Sequence, residues 1–436
     1  MSLIHPHSNS CAINELDLHA LPVTQSDVLK SVTVTKTTTN ALTDNTTSFD
    51  FTFEPTNLYT DLGEALLYLQ YKVCKEDGTR LAADSDAAPV NNILHSLFSS
   101  VQLLINGEKV TGNSEEYPYK AYLLTLLGHK KGTKDTLLKG TVKWIRDAEG
   151  QVNFRAQNPG WVARRTEART KETLCAVGRP IIDLLNQCKL LPSHCELKFI
   201  FERSSKAFYM MGANDTPFYI KITKAEMSIR HVLVRDEVVD VHNAAVHNPK
   251  FGPFNFPITR TKVTKHTLDG GSQEYSWTKP DTSQIPTRVV IGLVKETASS
   301  GALDENPYYF TNFGLKEIEV KFDEQKFEIK TDFPQQKVAR AYYQLYKDTG
   351  LLASDESCDI SFNDFLDGYT LFAFDLTPDR APEDARVNLL RQGKLTISLK
   401  FANPTTHAIS AIMCSFYDNL IQLTEDRLPV TDYHMS

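Results

Sequence analysis

Two stretches of this 436-residue chain carry the same series of patterns in the same order. In the first stretch, apolar and polar residues alternate up to the turn Asn106-Gly107, and a helical pattern follows over residues 117–128. In the second stretch, the same alternation is followed by a turn centred on Glu324 and by a helical pattern over residues 338–350. Alternation with a period of two predicts strands that bury one face. The chain is therefore predicted to contain two similar β domains.

Both helical patterns carry one apolar stripe at the spacing i, i+3, i+4, i+7, i+8. The stripe residues are Tyr119, Tyr122, Leu123, Leu126 and Leu127 in the first pattern, and Val338, Ala341, Tyr342, Leu345 and Tyr346 in the second. Each pattern has a proline near its start, Pro118 or Pro334, and a glycine at its end, Gly128 or Gly350. This arrangement predicts a helix in each repeat, with a left-handed cap at both glycines.

The end of each repeat supplies a further matched pair of segments. Residues 180–185 are matched with residues 370–377, which pairs Asp183 with Asp375 and predicts that the two aspartates serve the same turn twice. The spacing between matched segments differs between the copies, so the loops are expected to differ in length. Insertions in surface loops cost little free energy, and such drift is expected after a duplication.

The length of the chain also favours two domains, because a single hydrophobic core rarely serves so many residues. The predicted fold is all-β, with two tandem eight-stranded jelly rolls and short helices in the loops; another pair of β-sandwiches and a mixed architecture are the alternatives. The predicted limits are an N-terminal arm at 1–30, a first jelly roll at 31–240, a linker at 241–253, a second jelly roll at 254–425 and a C-terminal tail at 426–436. Further strands are expected at 49–53, 66–74, 93–105, 197–201, 289–294 and 395–401.

Composition indicates a globular protein, with 41% hydrophobic and 23% charged residues. No apolar run reaches the roughly 18 residues of a membrane helix, so no membrane span is expected. Residues 1–20 lack a basic start followed by an apolar stretch, and a secretory signal is not expected. Seven scattered cysteines, an odd number, predict mostly buried thiols rather than a disulfide framework.

The net charge of −7 argues against general binding of nucleic acid. Residues 130–172 run against this average, with eleven Lys or Arg and five Asp or Glu. One interpretation is a solvated, partly irregular insertion between helix and strand. The other is a lining that faces packaged nucleic acid or an acidic neighbouring protein.

Motifs of the common enzyme classes are absent from the sequence, which contains no GxSxG, GxxxxGK[ST] or GxGxxG. His5 and His7 lie in the predicted arm, and Cys188 and Cys195 are separated by six residues with His194 beside the second. Neither spacing favours a metal site. The sequence therefore predicts no catalytic residue, no cofactor-binding residue and no metal ligand, and a protein that is not an enzyme.

An acidic cluster between residues 355 and 367 also lacks the ligand spacing of a calcium loop. It is predicted to be a solvated loop between a helix and a strand. Its members are Asp355, Glu356, Asp359, Asp364 and Asp367.

Several sequence segments occur together in one known family. They are ELDL and PVTQ within 15–25, YPYKAYLLTLL at 117–127, RPIIDLL at 179–185, RVVIGLV at 288–294, RAYYQLY at 340–346, GYTLFAFDLTPD at 368–379 and NLLRQGKLTISLKFA at 388–402. In these segments the chain resembles the major capsid (hexon-like) protein of polinton/Maverick elements and the related adintoviruses. The likeness runs from the arm to the last strands.

The resemblance implies a double jelly roll, three copies of which form a homotrimeric capsomer of pseudo-sixfold outline. It implies the main building block of an icosahedral DNA-virus shell, made inside the host cell and located in the virion. The expected partners are further copies of the chain, penton and minor capsid proteins and, under the second interpretation of residues 130–172, packaged DNA. The alternative is a carbohydrate-binding or glycoside-hydrolysing β-sandwich protein, in which exposed aromatic residues would flank a cleft with two facing carboxylates.

Overall fold

The computed structural model describes residues 13–43, 46–82, 84–112, 116–147, 158–213, 218–278, 284–352, 357–380 and 387–433. Strands dominate these residues, and the paired strands run antiparallel. They are β1 (Val28–Thr37), β2 (Ser48–Phe53), β3 (Tyr59–Lys75), β4 (Ala87–Pro89), β5 (Phe98–Ile105), β6 (Glu108–Lys109), β7 (Leu174–Gly178), β8 (Leu197–Arg203), β9 (Met210–Gly212), β10 (Phe218–Val234), β11 (Phe254–Leu268), β12 (Glu274–Thr278), β13 (Arg288–Lys295), β14 (Leu315–Phe322), β15 (Gln325–Lys330), β16 (Leu371–Asp375), β17 (Leu395–Phe401), β18 (Ile409–Leu423) and β19 (Pro429–Thr431).

Short helices lie in the connections between the strands. They are α1 (Ile93–Ser96), α2 (Tyr117–Gly128), α3 (Lys131–Thr133), α4 (Pro159–Thr170), α5 (Lys206–Tyr209), α6 (Asp236–Val246), α7 (Glu296–Ser300), α8 (Ala339–Asp348) and α9 (Phe362–Leu366). Tighter 3-10 turns occur at Asn14–Leu16 and Asp183–Asn186, and a π-helical turn occurs at Lys134–Leu138.

The two halves of the chain share one strand order. The sheets of the first half are ordered β1-β10-β3-β7 and β2-β8-β5-β6. Those of the second half are ordered β11-β18-β13-β16 and β12-β17-β14-β15, with β19 paired to β18. In both halves the first strand pairs with the last long strand, and the second strand pairs with β8 or with its counterpart β17. The first half has in addition a small sheet of β4 and β9. The prediction of a mostly β chain that repeats one pattern is confirmed.

Period-two alternation builds the core of each half, as strand β2 illustrates. Phe49, Phe51 and Phe53 are buried, whereas the residues between them are partly exposed. Phe51 lies opposite Phe199 of β8, and the rings of Phe49 and Phe201 stack with their centroids 5.6 Å apart. Aromatic pairs at such distances add about 0.5–1.5 kcal/mol to the free energy gained from burial. One face of the sheet therefore belongs to the core, as the pattern predicts.

Both predicted turns occupy the same place in their halves. Asn106 and Gly107 have positive φ angles of 49° and 83°, as a two-residue hairpin between β5 and β6 requires. In the second half, Asp323 has a φ of 48° in the turn between β14 and β15. Asn and Asp tolerate this left-handed conformation better than most residues. The turn predictions are confirmed.

The helix predictions hold except at one cap. Helix α2 has the predicted limits, and α8 lies inside the predicted range. Gly350 has a φ of 78°, in agreement with the predicted left-handed conformation. The predicted cap at Gly128 is wrong, because this residue is still helical and the extended His129 ends the helix before α3 begins.

Two other predictions need correction. Residues 93–96, predicted as part of a strand, form the buried helix α1. The match of Asp183 with Asp375 is also wrong: Asp183 begins a 3-10 turn beyond the end of β7, whereas Asp375 is the last residue of β16. Strands β7 and β16 hold the same place in the sheet order, so the true repeat aligns these strands and not the aspartates.

Gly292 in β13 offers a test of the packing. A Cβ atom at this position would lie 2.4 Å from Cδ1 of Phe310 and 2.7 Å from Cδ2 of Leu371. We expect Gly292→Ala to lower the free energy of unfolding by about 1–3 kcal/mol, measured by chemical denaturation. Gly132→Ala is the control, because a Cβ at Gly132 meets nothing within 4 Å. Equal stability of the two variants would contradict this packing.

Candidate functional site: the interface between the two halves

Helix α2 lies between the two halves and is buried almost all round. Nine of its twelve residues are buried, as expected of a helix with tertiary contacts on every side. The ring of Tyr122 is nearly parallel to that of Tyr308, with an interplanar angle of 5° and centroids 4.0 Å apart. Tyr119 packs edge-on against the same ring and donates a hydrogen bond from its hydroxyl to the carbonyl oxygen of Pro307, at 3.0 Å. Aromatic residues of α2 thus join the first half to the second.

The buried hydroxyl groups of this aromatic cluster have hydrogen-bond partners. The Tyr308 hydroxyl lies 2.6 Å from Oγ of Ser96, and the Tyr117 hydroxyl lies 2.9 Å from Nδ1 of His95. The Tyr117 hydroxyl also accepts from the backbone N–H of Ile181, at 3.1 Å. Burial raises the pKa of Tyr117 and Tyr308 and lowers the pKa of His95 to about 4. These groups are therefore uncharged at neutral pH.

The carboxylate of Asp147 is shared between the halves. Its Oδ1 accepts from Nη2 of Arg164 in α4, at 2.8 Å, and its Oδ2 accepts from Nδ2 of Asn306, at 2.9 Å. Its backbone carbonyl accepts from the Tyr369 hydroxyl, at 2.7 Å. Asp147 is 4% exposed. A buried charge of this kind is tolerated only when it is paired and hydrogen-bonded, as here.

A glycine allows α4 to reach this position. A Cβ atom on Gly160 would lie 2.1 Å from the carbonyl oxygen of Arg146, which is impossible without movement of the backbone. The close approach brings the first turn of α4 against the segment that holds Asp147. Glycine is the residue that permits such a contact between backbones.

Arg146 forms a second polar link between the halves. Its guanidinium lies 2.7 Å from Oδ2 of Asp364 and 3.4 Å from Oδ2 of Asp359, and it covers the ring of Tyr369 at 4.2 Å. Asp364 is oriented by its own helix, because it forms a capping box with Ser361 at the start of α9. The arginine is thus held by carboxylates and by an aromatic face of the second half.

Lys134 adds a buried cation to the same region. Its ammonium group donates to the carbonyl oxygens of Leu126 and Cys358, each at 2.6 Å. Leu126 lies in the last turn of α2, where carbonyl groups favour a positive charge. Lys134 is 1% exposed, and burial lowers its pKa to about 8.

Further polar contacts continue the interface along β11. Lys120 of α2 forms an ion pair with Asp183, at 2.7 Å. Oδ2 of Asp183 accepts from the backbone N–H of Thr261 in β11, at 3.1 Å. At the β5–β6 turn, Nδ2 of Asn106 donates to the carbonyl oxygen of Arg427, at 3.2 Å.

This arrangement fixes the position of one half against the other. A buried polar atom without a partner costs about 1–3 kcal/mol, so a rotated arrangement of the halves would lose several such contacts at once. Aromatic stacking holds the two halves together, and the hydrogen bonds and ion pairs define a single orientation of one half relative to the other. The interface is therefore suited to a protein that needs its two halves at a constant angle.

The basic segment 130–172 is solvated only in part. Lys130, Lys131, Lys139 and Lys171 are exposed, whereas other members contribute to this interface. Lys134 and Arg164 are buried, and Lys143 and Arg146 are mostly covered. Six of its eleven basic residues form ion pairs with carboxylates in the described part of the chain. They are Lys131, Lys143, Arg146, Arg164, Arg165 and Lys171.

The acidic cluster is likewise not a purely solvated loop. Asp359 and Asp364 pair with Arg146, and Asp367 accepts from the hydroxyl of Tyr309, at 2.5 Å. Asp364 is 7% exposed. Asp355 and Glu356 lie outside the described residues.

The described residues contain no group of three or more His, Cys, Asp or Glu side chains that could hold a metal ion. Of the residues considered as metal ligands, His5 and His7 lie outside the described part of the chain. Cys188 is an exposed free thiol and Cys195 is a buried one. Four of the six described cysteines are buried and none of the six forms a disulfide, in agreement with the expectation of mostly buried thiols.

Two clefts on the described surface bear on the glycosidase alternative. A cleft of about 430 Å³ is lined by the ends of α2 and α8 and by Arg288 and Phe416, and no carboxylate lines it. Another, of about 330 Å³, lies on an open sheet face that includes Glu274, Glu317 and Glu319. Glu274 forms an ion pair with Lys400 at 2.5 Å, and Glu319 forms one with Lys326 at 2.7 Å.

Within the described ranges, none of the helices has the length and apolar character needed to cross a membrane.

Comparison with known proteins shows solved structures that are similar in fold to this chain over nearly its whole length. No family model matches the chain. An uncharacterized protein of Caenorhabditis elegans is 26% identical over 353 residues, which cover 79% of this chain and 82% of that protein. A chain in the structure of the Sputnik virophage is similar with a TM-score of 0.63 and 12% identity, over 100% of this chain and 95% of that one.

Two further solved structures have a similar fold. The mavirus major capsid protein has a TM-score of 0.55 at 11% identity, over 100% of this chain and 96% of that one. The faustovirus major capsid protein has a TM-score of 0.56 at 9% identity, over 94% and 92% of the two chains. At such identities the likeness establishes the fold alone, and this chain has a fold seen in viral major capsid proteins.

The aromatic interface can be tested by introducing a charge. We expect Tyr122→Asp to abolish soluble folded protein, because the carboxylate would lie against the Tyr308 ring without a partner. Leu345→Asp should act similarly, since Leu345 is fully buried in α8. Tyr343→Asp on the same helix is the control, because Tyr343 is 55% exposed. Soluble yield and melting temperature are measured, and normal melting of both core variants would show that the helices pack elsewhere.

The buried His95 predicts a dependence of stability on pH. Its folded pKa of about 4 lies below the value of 6.5 expected in the unfolded chain, so the unfolded state binds the proton more readily between these values. The contribution of His95 to the free energy of unfolding is therefore fully present above pH 6.5, and it declines as the pH falls towards 4. The loss attributable to His95 between pH 7.5 and 5 is roughly 2 kcal/mol.

Denaturation of His95→Gln at both pH values measures this contribution. The amide can still bond the Tyr117 hydroxyl but does not titrate, so the variant should lose less stability than the wild type on acidification. His407→Gln is the control, because His407 is exposed. An identical pH dependence of the wild type and His95→Gln would refute the assignment.

Proposed function

We propose that this chain is the major capsid protein of an icosahedral DNA-virus shell and that it acts by self-association rather than by catalysis. The observation that carries the proposal is the repeated strand order of the two halves, joined by a buried interface in a fold seen in viral major capsid proteins. We take the halves to be tandem eight-stranded jelly rolls. The proposed location is the virion, with synthesis inside the host cell.

The proposed assembly is a homotrimer. Each chain would present two similar units at a constant angle, so three chains would give six units in a pseudo-hexameric outline. Closed symmetric oligomers of this kind are common, and permanent interfaces bury on the order of 2,000–5,000 Å². The trimers would then pack into a lattice, with penton and minor capsid proteins as the other partners. The segments at 368–379 and 388–402 support placing the chain in the polinton and adintovirus group.

The proposed domain limits remain an arm at 1–30, jelly rolls at 31–240 and 254–425, a linker at 241–253 and a tail at 426–436. Strand β1 begins at Val28, inside the proposed arm, and α6 extends from Asp236 into the proposed linker. Contact of residues 130–172 with packaged DNA has less support than the rest of the proposal, because most of these cations pair with carboxylates of the chain itself.

Light scattering after size-exclusion chromatography tests the proposal. We expect a mass near three times 49.1 kDa at low micromolar concentration, and six-lobed particles in electron micrographs of the same sample. The alternative, a carbohydrate-binding or glycoside-hydrolysing β-sandwich, predicts a monomer that binds glycan. A protein that is a stable monomer by light scattering and binds specifically to a glycan array would refute the capsid proposal.

A further inference from the structure

Three chain segments form one surface at an end of the molecule. We call this the base surface and define it as residues 13–30, 234–253 and 424–433. Strand β1 begins where β10 ends, with Val28 opposite Val234. Strand β11 begins where β18 ends, with Phe254 opposite Leu423. The segments outside these four strand ends are therefore neighbours.

Direct contacts connect the three segments. The backbone N–H of Arg235 donates to the carbonyl oxygen of Asp27, at 2.9 Å. Nη2 of Arg427 donates to Oδ1 of Asn243 in α6, at 2.8 Å. The guanidinium of Arg427 also covers the ring of Phe254, at 5.0 Å. The base surface is thus a continuous part of the fold.

Large apolar side chains are exposed over this surface. Leu21 and Val23 are 89% and 102% exposed, and Phe251 is 64% exposed. Helix α6 packs Val238 and Val239 against a small apolar cluster, yet it leaves Val241 65% exposed. Leu428 and Val430 are 43% and 50% exposed on the third segment, and Leu16 and Leu18 are exposed on the arm that leads into β1. Apolar exposure on this scale is typical of an interaction site.

The base surface also carries most of the net negative charge of the chain. Its three segments contain nine Asp or Glu and four Lys or Arg, an excess of five negative charges out of a net −7. Of the four basic residues, Arg427 is buried. Asp236, Glu237 and Asp240 are exposed on α6, beside the exposed Val241. Phosphate groups of nucleic acids or anionic lipids would be repelled by this surface.

We propose that the base surface binds a basic, amphipathic segment of a partner protein. The apolar face of such a segment would cover Val241 and Phe251, and its Lys and Arg side chains would face the carboxylates of α6. Complementary charge of this kind directs association and excludes the wrong partners. The identity of the partner as another shell component rests on the proposed function.

The test uses the full chain and a labelled peptide of Leu and Lys at helical spacing. A second peptide with Glu in place of every Lys is the charge control. Fluorescence anisotropy at physiological salt should show the basic peptide binding at least about tenfold more tightly than the acidic one. Asp236→Asn with Glu237→Gln and Asp240→Asn should weaken this binding about tenfold. Val241→Ser with Phe251→Ser should weaken it as well.

A matched variant separates this site from general charge attraction. Glu317→Gln with Glu319→Gln and Glu328→Gln removes the same number of carboxylates from strands β14 and β15, away from the base surface. Binding should be unchanged in this variant. The proposal would be overturned if both triple variants weakened binding of the basic peptide equally, or if the α6 variant did not weaken it. It would also be overturned if phosphatidylserine vesicles bound as tightly as the basic peptide.

Light scattering on the same samples separates the two proposals. A trimer that does not bind the peptide refutes the base-surface proposal alone. A monomer that binds the peptide through α6 refutes the proposed capsid function and leaves the binding surface in place.

Discussion

Burial of helix α2 between the halves is the constraint on which the rest of the structure depends. A helix covered on one side would leave the two pairs of sheets free to rotate against each other. Here the stack of Tyr122 on Tyr308 and the hydrogen bond from Tyr119 fix one side, while Tyr117 is held by His95 on the other. Asp147 fixes the relative orientation of the halves, because its carboxylate accepts hydrogen bonds from donors in both of them. The chain behaves as one body with two similar parts.

The strands and turns could be predicted because their signals are local. Alternation in β2 and the Asn106-Gly107 turn depend on residues within a few positions of each other. The sequence does not reveal helix α1, because its four residues lie one position before β5 and periodicity cannot separate a short buried helix from a strand. The cap at Gly128 failed because the extended conformation of His129 ends the helix without a left-handed residue.

The interface could not be predicted because its partners are distant in sequence. The basic and acidic segments were recognised separately, yet nothing in either one indicates that Arg146 would reach Asp364. A signal did exist, since the basic segment lies between β6 and β7 and the acidic segment lies between β15 and β16, the strands that hold the same places in the second half, where opposite charge predicts contact. Asp147 and Asn306 had no such signal. Their roles follow only from burial and from the geometry of their hydrogen bonds.

The sharing of α2 has a consequence for how the chain is made. The residue that Tyr119 bonds, Pro307, lies 188 positions later, and Tyr369 lies 222 positions after Asp147. At about 5–20 residues per second, a ribosome needs roughly 10–40 s to supply Pro307 after Tyr119. During that interval the nascent first half carries a helix whose side towards the second half is uncovered and apolar. Chaperones are expected to be the first proteins that contact that surface.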